Sequence, residues 1–161
     1  ISCLIVNNPN SLSIKKAEKY SIPSLIINHK EYFTREEYDN KLIEELEKYR
    51  PEIVVMAGWM RIATSILINK YKNRLINIHP SLLPAFKGYN AINQVLKTNT
   101  RISGCTVHLV EPEVDSGEIL IQAAVPVLYN DTEESLLNRI QLKEHEIIVK
   151  GVALLGQRIR L

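Results

Sequence analysis

Apolar residues along this chain come in short unbroken runs that alternate with stretches of helical spacing. Residues 1–6 (ISCLIV) form the first run. A turn-rich segment, residues 7–11, separates it from an amphipathic stretch reaching Tyr20, in which Leu12, Ile14 and Ala17 interleave with lysines. The pattern then repeats. Residues 24–27 are largely apolar, and Thr34 and Glu37 have the spacing of a capping box before a helix striped by Tyr38, Leu42, Ile43 and Leu46. Residues 53–57 (IVVMA) and 75–78 (LINI) read as further buried strands. Strands alternating with helices predict an α/β fold, a Rossmann-like and mostly parallel sheet with helices on both faces.

From Ile102 the period changes. Residues 105–110 and 119–127 are longer alternating runs split by an acidic turn at 111–117, which predicts antiparallel strands added to the sheet in the C-terminal half. Asp131-Thr132-Glu133-Glu134 then opens a long helix, its carboxylates near the positive end and Leu136, Leu137, Ile140, Ile147 and Ile148 at helical spacing.

A length of 161 residues suits one domain spanning residues 1–161. Apolar residues at 45% and charged residues at 24% supply a core and an ordinary surface, which excludes a disordered chain. Twenty basic residues against 18 acidic ones leave a net charge of +2, too balanced to imply a nucleic-acid or anionic-membrane surface. No apolar run approaches the roughly 20 residues of a spanning helix, and the chain does not open like an export signal, so a cytoplasmic setting is expected. Cys3 and Cys105 lie in apolar runs without metal-ligand spacing and are read as reduced core thiols; no metal site is expected.

Ligands of open α/β sheets bind beyond the carboxyl ends of the parallel strands, which singles out residues 7–8, 28–29, 58–61 and 77–84. Asn77 and His79 alternate along a strand end and therefore share a face. An unpaired buried polar group costs about 1–3 kcal/mol, so both side chains need partners or a ligand. Pro80 and Pro84 stiffen the loop that follows. Taken alone, His79 reads equally well as a satisfied core histidine, and Asp115, just before Ser116-Gly117, reads by spacing as a turn residue.

The full string at 77–84 (NIHPSLLP) resembles the signature of the folate-dependent formyltransferases. Residues 86–91 (FKGYNA) and 104–108 (GCTVH) resemble the glycinamide ribonucleotide branch of that family, and 114–117 (VDSG), 122–127 (QAAVPV) and 143–145 (KEH) extend the likeness over nearly the entire chain. The resemblance implies transfer of a formyl group from 10-formyltetrahydrofolate to the amine of glycinamide ribonucleotide in purine synthesis, with no metal. By position it makes Asn77 and His79 donors to the formyl oxygen and Asp115 the carboxylate that orients and charges the histidine. It assigns the reduced folate to Met60, Arg61, Ile62 and Ala63, to Asn77 and Asp115, and to the loop bearing Val110, Glu111, Glu113 and Val114. Ala63 stands where a larger aliphatic residue is usual. Ser81, Gln141 and Glu144 would meet the amine substrate, Glu144 with more weight than Gln141. Thr106 and His108 would support the site from one strand face.

Alternatives are a formyltetrahydrofolate deformylase, which would use water as acceptor, and a catalytically weak folate-binding remnant. Pro80 and the Glu144-His145 pair favour the transferase. A monomer or homodimer is expected, with no nucleic-acid or membrane partner. The family's first strand and phosphate-binding loop would fall ahead of Ile1, and Asn7 to Ser11 contain no glycine to replace that loop. The sequence leaves open whether this is a fragment or a natural loss. Without that strand, exposed edges predict low solubility or pairing with another chain.

Overall fold

The structure, a computed structural model, describes residues 1–160. These fall into two compact units, one made of Ile1–Glu52 with Ala63–Lys70, the other of Ile53–Ile62 with the chain from Tyr71 onward.

In the first unit, β1 (Leu4–Val6) pairs in parallel with β2 (Ser24–Ile26) across the helix α1 (Leu12–Lys19). The strand is shorter than the apolar run at 1–6 suggests, and Ile1 is fully exposed. The amide of Leu4 donates to the carbonyl of Pro23, and because proline has no N–H to return, the ladder ends there. Within α1, Ala17 is buried while Leu12, at the first helical position, is exposed. The predicted capping box forms at α2 (Arg35–Glu47): the Glu37 amide donates to Thr34 Oγ1 at 3.1 Å, and the Thr34 amide donates to the Glu37 carboxylate at 3.2 Å. Tyr38 and Leu42 turn inward, and the Tyr38 hydroxyl donates to the Ile27 carbonyl. A helix too short to show a periodic pattern in the sequence follows, α3 (Ser65–Lys70); its start is fixed by buried Asp39 of α2, whose carboxylate accepts from the Thr64 amide at 2.7 Å.

The second unit holds a four-stranded sheet in the order β3-β4-β5-β6. Strands β3 (Val54–Met56) and β4 (Leu75–His79) are parallel, whereas β5 (Ile102–Leu109) and β6 (Ile119–Pro126) are antiparallel additions, as the change of period predicts. Ile76, Cys105, Val107 and Leu109 form one core with Leu136, Ile140, Ile147 and Leu155 of α5 (Glu133–Ile159) and with Ile92 and Val95 of α4 (Ala91–Leu96). Burial of each such side chain is worth about 1.5–3 kcal/mol. Gly151 lets α5 approach the sheet, since a Cβ there would meet Val107 Cγ1 at 2.7 Å. Because side chains alternate, this packing leaves Asn77, His79, Thr106 and His108 to the opposite face.

Thr132 caps α5 with Ser135, and Arg139 forks onto the Asp131 carboxylate at 2.7 and 2.8 Å, tying the helix back to the preceding turn. Of the two free thiols, Cys105 is fully buried but Cys3 only partly, so Cys3 is not a core residue. Among the described residues, no helix is long and apolar enough to cross a membrane.

Candidate active site

The site grows from the last residues of β4. Asn77 lies opposite His108 and His79 opposite Thr106 in the antiparallel register with β5, so four polar side chains meet on one face of two strands. Chain direction then changes at Pro80, and residues 80–90 fold back over this face.

His79 is 6% exposed and both ring nitrogens are engaged: Nε2 lies 2.8 Å from the Phe86 carbonyl and Nδ1 lies 3.2 Å from Asp115 Oδ2. Both neighbours are acceptors, so the two bonds are complete only when both nitrogens carry hydrogen. The resemblance makes His79 a donor to the formyl oxygen; in this structure the partner of Nε2 is the Phe86 carbonyl.

Asp115 links two histidines. Its Oδ2 accepts from the Gly88 amide at 2.8 Å and lies 3.2 Å from His79 Nδ1, and its Oδ1 lies 3.4 Å from His108 Nε2. Burial works against the charge on Asp115, but the His108 hydrogen bond, the Gly88 N–H and the attraction of both imidazoles outweigh it and hold the carboxyl below the usual carboxylate range. His108 Nδ1 faces the Leu109 carbonyl at 2.8 Å and must donate to it. Nε2 therefore has one of two partners: carrying hydrogen it donates to Asp115 Oδ1 at 3.4 Å, and without hydrogen it accepts from the Asn77 amide nitrogen at 3.3 Å. The resemblance casts His108 as support for the site, and its ring touches both Asn77 and Asp115.

The backbone is strained where it grips His79. Phe86 and Asp115, the two residues bonded to its ring, have φ of +55° and +52°. For residues other than glycine this left-handed conformation costs on the order of 1–2 kcal/mol, and such outliers gather at functional sites. Downstream, Gly117 keeps the acidic turn close to β5, because a Cβ there would strike the Leu109 carbonyl.

A net of side-chain bonds fixes the near half of the loop. Thr106 Oγ1 donates to the Ser81 carbonyl at 2.7 Å and accepts from the Leu83 amide at 3.1 Å. Gln122 Nε2 donates to Thr106 Oγ1 and to the Leu83 carbonyl, both at 2.9 Å. Ser81, expected beside the amine substrate, is fully buried, and its hydroxyl donates to the Ala85 carbonyl at 2.6 Å.

Met60 and Ile62 are exposed apolar side chains, Ala63 is buried in the first unit, and Arg61 is partly buried. Val110 is partly buried; Glu111, Glu113 and Val114 are exposed, with Glu113 3.4 Å from Lys87. Gln141 and Glu144 sit on α5, which packs against the sheet face opposite to that of Asn77 and His79. Gln141 is exposed, whereas burial pushes the Glu144 carboxyl up from its ordinary range. No bond joins Glu144 to the His79 cluster among the described residues. Groups of three or more His, Cys, Asp or Glu side chains able to hold a metal are absent among the described residues.

An α/β sheet that ends a parallel strand in an amide and an imidazole, with a carboxylate returned to the imidazole from an antiparallel addition, defines a class, and the chain belongs to the formyl transferase family, which matches residues 1–152. Within that family, the chain is 35% identical over 147 residues to the phosphoribosylglycinamide formyltransferase of Escherichia coli (strain K12), covering 91% of this chain and 69% of that protein. It is 42% identical over 168 residues to the trifunctional purine biosynthetic protein adenosine-3 of Bos taurus, matching all of this chain but spanning only 17% of that longer protein. The crystal structure of glycinamide ribonucleotide transformylase 1 from Symbiobacterium toebii superposes with a TM-score of 0.92 at 38% identity, over 94% of this chain and 72% of that one. The Rossmann-like reading of the fold is thereby shown.

Proposed function

We propose that this chain transfers a formyl group from 10-formyltetrahydrofolate to the amine of glycinamide ribonucleotide, a cytoplasmic step of purine synthesis carried out by a monomer or homodimer. One observation carries the reading: Asn77, His108, Asp115 and His79 stand in unbroken polar contact at the carboxyl end of β4, at 3.3, 3.4 and 3.2 Å in turn. Membership in the formyl transferase family and the names of the relatives support the substrates.

Attack of the amine on the formyl carbon forms a C–N bond and moves the carbonyl electrons onto oxygen. Donors already aimed at that oxygen lower the barrier because nothing has to reorganise, an effect worth about 2.7–4 kcal/mol per donor in comparable sites. Asn77 supplies one N–H. His79 supplies the other once Nε2 exchanges the Phe86 carbonyl for the substrate oxygen, while Asp115 on Nδ1 steadies the charged ring. Collapse breaks the bond to the folate nitrogen, which takes up a proton equivalent to the one the amine loses, relayed by His79, Asp115 and water. Met60, Arg61 and Ile62 with the 110–114 loop hold the pterin, and the exposure of Met60 and Ile62 suits contact with a flat ring. Glu144 receives the ribose hydroxyls or the glycinamide amine of the substrate before the attack; burial raises its carboxyl, and donors from a ligand would relieve that desolvation.

Replacing His79 with Ala tests the assignment, with transfer and folate binding measured separately. Turnover is expected to fall by about two to four orders of magnitude while folate affinity stays within a few fold. Unchanged turnover removes His79 from the mechanism. Formate release that is independent of the amine would mark a hydrolase, and folate binding without any turnover in the parent chain would mark a binding remnant.

A further inference from the structure

We infer that Gln94, on α4, is a positioning residue for the His79–Asp115 pair, acting through the backbone of residues 86–89. The inference rests on the formyl-transfer reading above. Two groups of this loop touch the pair directly: the Phe86 carbonyl on His79 Nε2 and the Gly88 amide on Asp115 Oδ2. Lys87 lies between them. Gln94 Nε2 donates to the Lys87 carbonyl at 3.0 Å and to the Tyr89 carbonyl at 2.9 Å, using both amide hydrogens to bracket Gly88.

This stretch does not hold its own shape. Phe86, Gly88 and Asn90 have φ of +55°, +77° and +63°, three left-handed residues within five. Such a conformation persists only when its surroundings over-determine it. Among the described residues the Lys87 side chain reaches only Glu113, across an exposed 3.4 Å contact that water screens. Gln94 ties the strained segment to a helix anchored in the core by Ala91, Ile92 and Val95, all 5% exposed or less. Its bonds do not serve the helix. Near a helix start the unpaired groups are amide donors that need acceptors, and Asn90, the residue at the cap position, makes no side-chain cap bond. Gln94 instead offers donors to carbonyls of the preceding loop. The line of force runs from the core through α4, the Gln94 amide and two carbonyls to the groups that grip His79 and Asp115.

The test compares wild type with Gln94→Met, which keeps length and helix propensity but removes both donors, and with Gln94→Glu, which sets an acceptor against two carbonyls. In both, kcat is expected to fall about tenfold or more while KM for folate and amine stays within about threefold, because a misplaced catalytic group loses rate before binding. In the NMR spectrum of the wild type, the imidazole N–H protons of His79 give resolved downfield resonances, and these broaden into solvent exchange in Gln94→Met. Unchanged kcat together with unchanged His79 resonances overturns the inference. Should the variants fold poorly, the Gln94 side-chain amide of the wild type gives the answer: hydrogens exchanging at the rate of a free glutamine overturn it, and slowed exchange supports it. The NMR readings need no substrate, so they stand even if the wild type proves inactive in formyl transfer, an outcome that sinks only the functional reading.

Discussion

His79 Nδ1 and Asp115 Oδ2 lie 3.2 Å apart, and the same loop binds both residues, the His79 ring donating to the Phe86 carbonyl and Asp115 accepting from the Gly88 amide. The charged pair and its backbone frame are therefore one assembly. Replacing Asp115 with Asn isolates the charge, because Asn tolerates the left-handed φ of +52° and retains an acceptor oxygen. Turnover is expected to fall by about two to four orders of magnitude, as when an imidazole loses its carboxylate elsewhere. The same substitution bears on acid stability. A carboxyl held below its unfolded value contributes stability above the unfolded pKa and loses it as pH falls through the folded one. Urea titrations should accordingly show a gap between wild type and Asp115→Asn that narrows toward acid; a gap independent of pH contradicts the assignment.

Glu144 works in the opposite sense. Burial raises its carboxyl, so its contribution to stability is present in acid and is lost as pH rises through the folded pKa. Glu144→Gln is expected to melt slightly higher than wild type at neutral pH and to bind the amine substrate about tenfold more weakly, the loss of one hydrogen bond to a charged group. Thermal melts and KM for the amine check the two arms; an unchanged KM removes Glu144 from the binding site.

Asp131 and Arg139 make a stability prediction remote from the chemistry. The Arg139 fork, with the Leu128 amide and the Ser135 hydroxyl, holds the Asp131 carboxyl well below the usual carboxylate range against the opposing pull of burial. Arg139→Ala should cost roughly 1 kcal/mol at neutral pH, within the range for well-formed ion pairs. That cost should shrink in strong acid, where the folded carboxyl protonates and the pair is lost in wild type as well. Denaturant midpoints at the two pH values decide it.

Ser103 is 1% exposed, and its hydroxyl has no hydrogen-bond partner among the described residues. Ser103→Ala is expected to raise stability by about 1 kcal/mol, the lower end of the cost of an unpaired buried hydroxyl, with activity unchanged. A lower denaturant midpoint would mean that the hydroxyl is satisfied by water in solution.

What the sequence determined by itself is local. A buried strand is a run of neighbouring apolar residues, so β3 and β4 were legible, and the two-residue period of a strand put Asn77 and His79 on one face before any fold was known. The capping box at Thr34 was legible because both partners lie within one turn. The six-residue helices α3 and α4 were not, being too short for a periodic signal. Only the tertiary structure decided that His108 reaches Asp115, that the Gly88 amide and Phe86 carbonyl complete the pair, and that Ser81 turns inward. The Asn77–His108 and Gly88–Asp115 bonds span 31 and 27 residues. Strand register and loop path set such contacts, and both depend on how the sheet packs against α5, which no short stretch of sequence encodes.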